Sequence, residues 1–237
     1  MQTAVIGYPR IGTLRELKFA SEQYFRKETE AGELLQTAKE LRKTHWLTQK
    51  EAGISFISCN DFSFYDNMLD TAVLFGIVPK RYKELQLSEL DTYFAMARGY
   101  QGDSGDVKAL AMKKWFNTNY HYIVPEVEDE MVIELKGNKL FAEYHEAKEL
   151  GITTKPTVIG AYTLLKLCRY TGTKKMADYV DAVSKAYRNL IVKCETEGID
   201  WLQFDEPALV QDMGQDEIHL FHKLYDAILA ADNKCHV

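Results

Sequence analysis

Two kinds of apolar pattern alternate along this chain. Short apolar runs, too brief for helices, are followed by Gly, Pro, Asn or Asp and then by longer segments with helical spacing. The runs Ala4-Val5-Ile6, Ile54-Ser55-Phe56-Ile57, Thr157-Val158-Ile159 and Trp201-Leu202-Gln203-Phe204 are predicted strands. A further strand is expected near residue 113, where Ala111–Glu126 carries Trp115, Phe116, Tyr120 and Tyr122. Helices are predicted from about Leu14, over Glu33–Lys50 with Leu34, Ala38 and Leu41 inward, and over Tyr65–Phe75 with Met68, Ala72 and Phe75 inward. Others follow over Ser88–Arg98, with Ser88 as N-cap, over Leu140–Leu150 and over Thr163–Tyr170. The clearest helix has apolar residues at 176, 179, 180, 183, 187, 190, 191 and 194, and a last one presents Ile218, Phe221, Leu224 and Ile228. Gln101–Asp106 reads as an exposed loop and Glu128–Leu135 as a short edge excursion. Cys235-His236-Val237 reads as the first residues of one more strand.

This succession is α/β, with about five βα units and the start of a sixth. Polar and Gly/Pro signals fall after the strands, the face on which a (β/α)8 TIM-type barrel builds its sites. A barrel needs eight units, so residues 1–237 are expected to form a single domain that is an incomplete barrel, or else an open sheet. The abrupt ending favours a piece of a longer protein.

Composition narrows the class further. At 237 residues with 46% hydrophobic and 27% charged content, the chain is an ordinary globular one. No apolar run approaches the roughly 18 residues that span a bilayer, and the first residues lack a signal-peptide pattern. Cys59, Cys168, Cys194 and Cys235 are scattered, which suits a reduced, cytoplasmic setting without a membrane partner. A net charge of −6 argues against nucleic acid as a partner but leaves room for a local site for a small polyanion.

The first 18 residues hold the most chemistry. After Ile6, Gly7, Pro9 and Gly12 punctuate a loop, and Thr13 and Glu16 have capping-box spacing. Arg15 and Lys18 then fall in the first helical turn, where the helix dipole disfavours cations. Spacing alone leaves two readings open: an anion site beside free helix amides, or two solvated surface charges. Lys114, beside Lys113, is on spacing one more surface lysine.

The string G-Y-P-R-I-G-T-L-R-E-L-K at residues 7–18 resembles the opening of the cobalamin-independent methionine synthase family. Asn60-Asp61-Phe62-Ser63-Phe64-Tyr65-Asp66, Lys114-Trp115-Phe116-Asn117-Thr118-Asn119-Tyr120-His121-Tyr122 and Gln203-Phe204-Asp205-Glu206-Pro207 are similar to further family segments, in the family's order. One departure is Gly160-Ala161-Tyr162-Thr163, where the family usually has Gly-Pro before Thr or Ser. The resemblance implies an N-terminal domain that binds the polyglutamate tail of 5-methyltetrahydropteroyltri-L-glutamate through Arg15, Glu16, Leu17, Lys18 and Lys114. The cations are expected to converge on one ligand. It also implies a missing C-terminal catalytic domain, which would hold zinc and carry out methyl transfer to homocysteine, giving methionine. This chain is then expected to have no catalytic residues, no metal and no cofactor of its own, and to be inactive alone. A free-standing folate- or anion-binding module is the alternative.

Other chemistry is weaker. Asp205 and Glu206 are adjacent carboxylates at a strand end, and neighbouring strand residues point to opposite faces, so they read as groups orienting loop backbone. A barrel enzyme using that pair is a third reading. Asn117, Asn119 and His121 lie at period two, and His121 among aromatics reads as a packing residue. His219, His222, Cys235 and His236 make no recognisable ligand set.

Overall fold

The computed structural model describes residues 2–230 and 234–237. In chain order the elements are α1 (Glu16–Phe25), α2 (Ala31–Glu51), β1 (Ile57–Cys59), α3 (Asn67–Leu74), α4 (Lys80–Lys83) and α5 (Glu89–Arg98). There follow β2 (Tyr100–Gly102), β3 (Gly105–Val107), β4 (Met112–Lys114), β5 (His121–Ile123), β6 (Glu126–Val127) and α6 (Lys139–Glu149). The rest comprises β7 (Thr154–Ile159), α7 (Ala161–Leu167), β8 (Arg169–Tyr170), α8 (Val180–Thr196), β9 (Gln203–Asp205) and α9 (Gln215–Ile228). Two compact units form, one of Met1–Phe64 with Lys139–Thr157, the other of Tyr65–Asn138 with Val158–Val237.

In the first unit, Ala4 bridges Phe56 in parallel, and β1 pairs in parallel with residues 154–156 of β7. Helix α1 packs on α2, while α2 and α6 pack on β1. The buried stripe of α2, with Leu34, Ala38, Leu41, His45 and Trp46, follows the helical period and faces this sheet. The Trp46 indole N–H donates to the Ser58 carbonyl (3.1 Å), so a ring too large to bury with an idle donor is satisfied.

In the second unit, β6 pairs in parallel with β8, and Trp201 bridges His236 in parallel. The Gly160 amide, just after β7, donates to the Asp205 carbonyl at the end of β9 (2.7 Å). Helix α8 packs on α9 and α7, and Tyr187 of α8 stacks on Phe75 with ring centroids 4.4 Å apart. Asp66 and Ser88 cap α3 and α5 by accepting from the Leu69 and Asp91 amides. The architecture is α/β with small, open parallel sheets, consistent with an incomplete barrel.

Several expectations need correction. The strand near residue 113 is no βα unit: β4 and β5 form an antiparallel hairpin, Lys114 opposite His121. The expected loop at 101–106 is likewise an antiparallel hairpin, β2 with β3. Ala4–Ile6 makes a single bridge instead of a buried strand, and Ile6 is 80% exposed. Helix α1 begins at Glu16, not near Leu14, because Arg15 adopts a left-handed conformation that no helix can include. The expected helix at 163–170 ends at Leu167, where the chain turns into β8. The long helix opens with a 3₁₀ turn over Met176–Tyr179 before α8.

Candidate functional site

In the first unit, the turn before α1 carries the predicted Arg15–Lys18 segment. Gly12 has φ 83, and a side chain there would run into the Glu16 carboxylate. The Arg15 amide donates to the Gly12 carbonyl (3.2 Å) and the Leu17 amide to the Ile11 carbonyl (3.2 Å). Thr13 is not the cap. Glu16 instead folds back to accept from the Leu14 amide (3.0 Å), and no side chain caps α1 at its Arg15 N-cap. Arg15 is exposed and has no ion-pair partner among the described residues. Lys18 is exposed and lies 3.6 Å from Glu22 one turn on. Leu17, at 2% exposure, is a core residue.

Lys114 belongs to the second unit. It ends β4, exposed, in a hairpin whose turn is held by Thr118, which donates to the Trp115 carbonyl through both amide (3.1 Å) and hydroxyl (2.6 Å). Phe116 within that turn has φ 50. Asn117 and Asn119 lie in the turn, not on a strand, and His121 is exposed instead of packed.

The loop after β1 is the most heavily braced part of the first unit. Asn60, with φ 61, donates its amide to Glu143 (3.0 Å) and its side-chain N–H to the Thr157 carbonyl (2.9 Å), and its oxygen accepts from Lys139 (3.1 Å). Burial pushes the Glu143 carboxyl up, against the pull of Lys139 and Arg42. Arg42 grips Glu146 with two parallel hydrogen bonds of 2.9 and 2.8 Å. Asp61 accepts from the Tyr8 amide (2.8 Å) and the Ser58 hydroxyl (3.1 Å), tying the Gly7–Tyr8 loop to the end of β1. His45 stacks on Tyr8 at 4.3 Å, and burial lowers its basicity, which Asp61 partly restores. Sequence reading missed this network. Its one local signal is Glu143, a carboxylate on the otherwise apolar stripe Leu140, Phe141, Tyr144 and Ala147 of α6.

In the second unit, Glu206 faces the start of α7. It accepts from the Tyr162 amide (2.8 Å), the Thr163 amide (2.7 Å) and the Thr163 hydroxyl (2.5 Å), and from the Tyr225 hydroxyl. Gly160 is required there, because a Cβ would run into this carboxylate. Asp205 turns instead to the Gln203 side chain (2.6 Å). The two carboxylates thus serve different partners, and Glu206 is engaged in orienting backbone at the start of α7. Asp66 is similarly committed, accepting from the Leu69 (2.8 Å) and Ile123 (2.9 Å) amides, and burial pushes its carboxyl up to about 6. Among the described residues, no three His, Cys, Asp or Glu side chains are grouped to hold a metal ion. No helix there is long and apolar enough to cross a membrane.

Residues 2–237 match the family model described as "Cobalamin-independent synthase, N-terminal domain". The chain belongs to this family. Among similar proteins, the 5-methyltetrahydropteroyltriglutamate–homocysteine methyltransferase of Streptococcus gordonii is 54% identical over 230 residues, covering 97% of this chain and 31% of that protein. The enzyme of the same name from Campylobacter jejuni subsp. doylei is 53% identical over 229 residues, again 97% of this chain and 30% of its own length. The chain thus spans about a third of the curated relatives it matches. A crystal structure titled as the putative vitamin-B12 independent methionine synthase from Listeria monocytogenes superposes with a TM-score of 0.63 over 100% of this chain and 62% of that one. At 14% identity that likeness speaks for the fold. The match to the cobalamin-independent synthase N-terminal domain spans the strings at residues 7–18, 60–66, 114–122 and 203–207.

Proposed function

We propose that this chain is the N-terminal part of an enzyme that transfers a methyl group from 5-methyltetrahydropteroyltri-L-glutamate to homocysteine, giving methionine. Its own task is to hold the polyglutamate tail. Arg15, Lys18 and Lys114 are the cations this reading offers to the tail's carboxylates, and Glu16 and Leu17 complete the R-E-L-K segment. A guanidinium grips a carboxylate with two hydrogen bonds, and a lysine ammonium meets one as a mobile point charge. The observation that carries this reading is family membership along residues 2–237, joined to the exposure of all three cations. The chemical step belongs to the C-terminal domain of the same protein, where a bound zinc ion would supply the Lewis acidity that favours a deprotonated thiol at neutral pH. The setting is cytoplasmic.

The test is an assay of the full-length protein with methyltetrahydrofolate triglutamate, homocysteine and zinc. Metal-dependent formation of methionine is expected there, and none from this chain alone. A full-length protein without that activity would overturn the reading, and turnover by the isolated chain would overturn the assignment of chemistry to the second domain.

A further inference from the structure

The R-E-L-K segment mixes two cations with a carboxylate, an odd member for a site meant to hold a polyanion. The turn geometry explains its presence. Arg15, a non-glycine residue, has φ 65 and ψ 33, a left-handed conformation that L-residues adopt only when their surroundings hold them there. Three features hold it. The Arg15 amide is tied to Gly12 and the Leu17 amide to Ile11. The Leu17 side chain is sunk in the core. The Glu16 carboxylate lies folded over the turn, against Gly12, and accepts from the Leu14 amide (3.0 Å). That carboxylate also sits in the first turn of α1, where the helix dipole favours it. The helix start therefore already has an internal anion, and ligand carboxylates are left to Arg15 and Lys18.

We propose that Glu16 is a positioning residue for the polyglutamate tail. It touches no ligand; it clamps the Gly12–Leu17 turn so that the Arg15 side chain leaves the backbone in a fixed direction. The inference rests on the tail-binding reading above. Preorganisation of this kind acts on affinity by reducing the ordering that the ligand must otherwise impose.

The experiment compares mono- and triglutamate methyltetrahydrofolate binding to full-length wild type, Glu16→Ala, Glu16→Gln, Gly12→Ala, Arg15→Ala and Lys18→Ala. Backbone hydrogen exchange over residues 11–17 is followed without ligand. Glu16→Ala removes the acceptor and Gly12→Ala displaces the carboxylate. Each is expected to weaken triglutamate by about 5- to 20-fold, with monoglutamate changed less than about twofold, and to speed exchange in the turn. Glu16→Gln keeps an oxygen for the Leu14 amide and deletes a repulsive charge. It is expected to bind triglutamate as well as wild type or up to about threefold more tightly, with unchanged exchange. Equal losses in Glu16→Gln and Glu16→Ala would mean that the charge itself meets the ligand, and would overturn the proposal. So would wild-type exchange and binding in Glu16→Ala. If Arg15→Ala and Lys18→Ala leave the triglutamate preference intact, the tail-binding reading fails and the proposal with it, even where the exchange data show the clamp.

Discussion

Glu206→Ala separates an orienting carboxylate from a catalytic one. In the second unit this side chain accepts from two backbone amides at the start of α7, from the Thr163 hydroxyl and from the Tyr225 hydroxyl. Tyr162 and Thr163 are fully buried, so water reaches their orphaned donors only by disturbing the packing. Each stripped buried donor costs about 1–3 kcal/mol, and partial rehydration beside Gly160 offsets some of the sum. We expect a net loss of about 3–5 kcal/mol. For a chain of 237 residues, where each kcal/mol shifts Tm by about 2–4 °C, the midpoint should fall by roughly 6–20 °C. Glu206→Gln keeps one acceptor oxygen but turns an NH2 group toward a donor, and should lose about half as much. The assay is thermal unfolding of this chain by far-ultraviolet circular dichroism. A shift below about 2 °C in Glu206→Ala would refute the bookkeeping of donors and return the carboxylate to the list of candidate chemical groups.

Three other outcomes follow from the same geometry. Burial raises the Asp66 carboxyl from 3.8 to about 6, so the folded state binds more protons than the unfolded one between those values and loses stability as pH rises through them. The stability difference between wild type and Asp66→Asn should therefore move by roughly 2–3 kcal/mol between about pH 4 and pH 7 in urea titrations, and a constant difference would contradict it. Leu17→Ala should cost about 2–5 kcal/mol in the urea midpoint, since its side chain is 2% exposed, and a loss under about 1 kcal/mol would make it a surface residue. The isolated chain should form no methionine above background with triglutamate folate, homocysteine and zinc, and any metal-dependent turnover would sink that expectation.

The parallel framework was legible because its signals are local. The apolar runs ending at Ile57 and Ile159 and the period of α2 and α8 need no knowledge of distant partners. The hairpins were not legible. Gly102 and Gly105 read equally as loop or as a tight turn, and β4 is exposed at all three residues, so it shows no alternation to read. The start of α1 misled for a different reason. Thr13 and Glu16 match the capping-box pattern, yet the carboxylate serves Leu14, and nothing in an arginine codon announces φ 65. The motif strings single out Arg15, Lys18 and Lys114 as proposed cations, whereas the Asn60–Glu143–Lys139 brace joins residues about 80 apart and leaves only a misplaced carboxylate as its trace.

Exposed cations of this chain are proposed to grip the tail of a polyglutamate folate. The most direct test is titration of mono- and triglutamate methyltetrahydrofolate against full-length wild type and Arg15→Ala, Lys18→Ala and Lys114→Ala. Charge-assisted contacts of about 1–3 kcal/mol predict a triglutamate affinity lower by roughly one or two factors of ten in each variant. Monoglutamate affinity should stay nearly constant, and the gap should narrow as added salt screens the pairs. Four proteins that treat the two ligands alike would contradict the account.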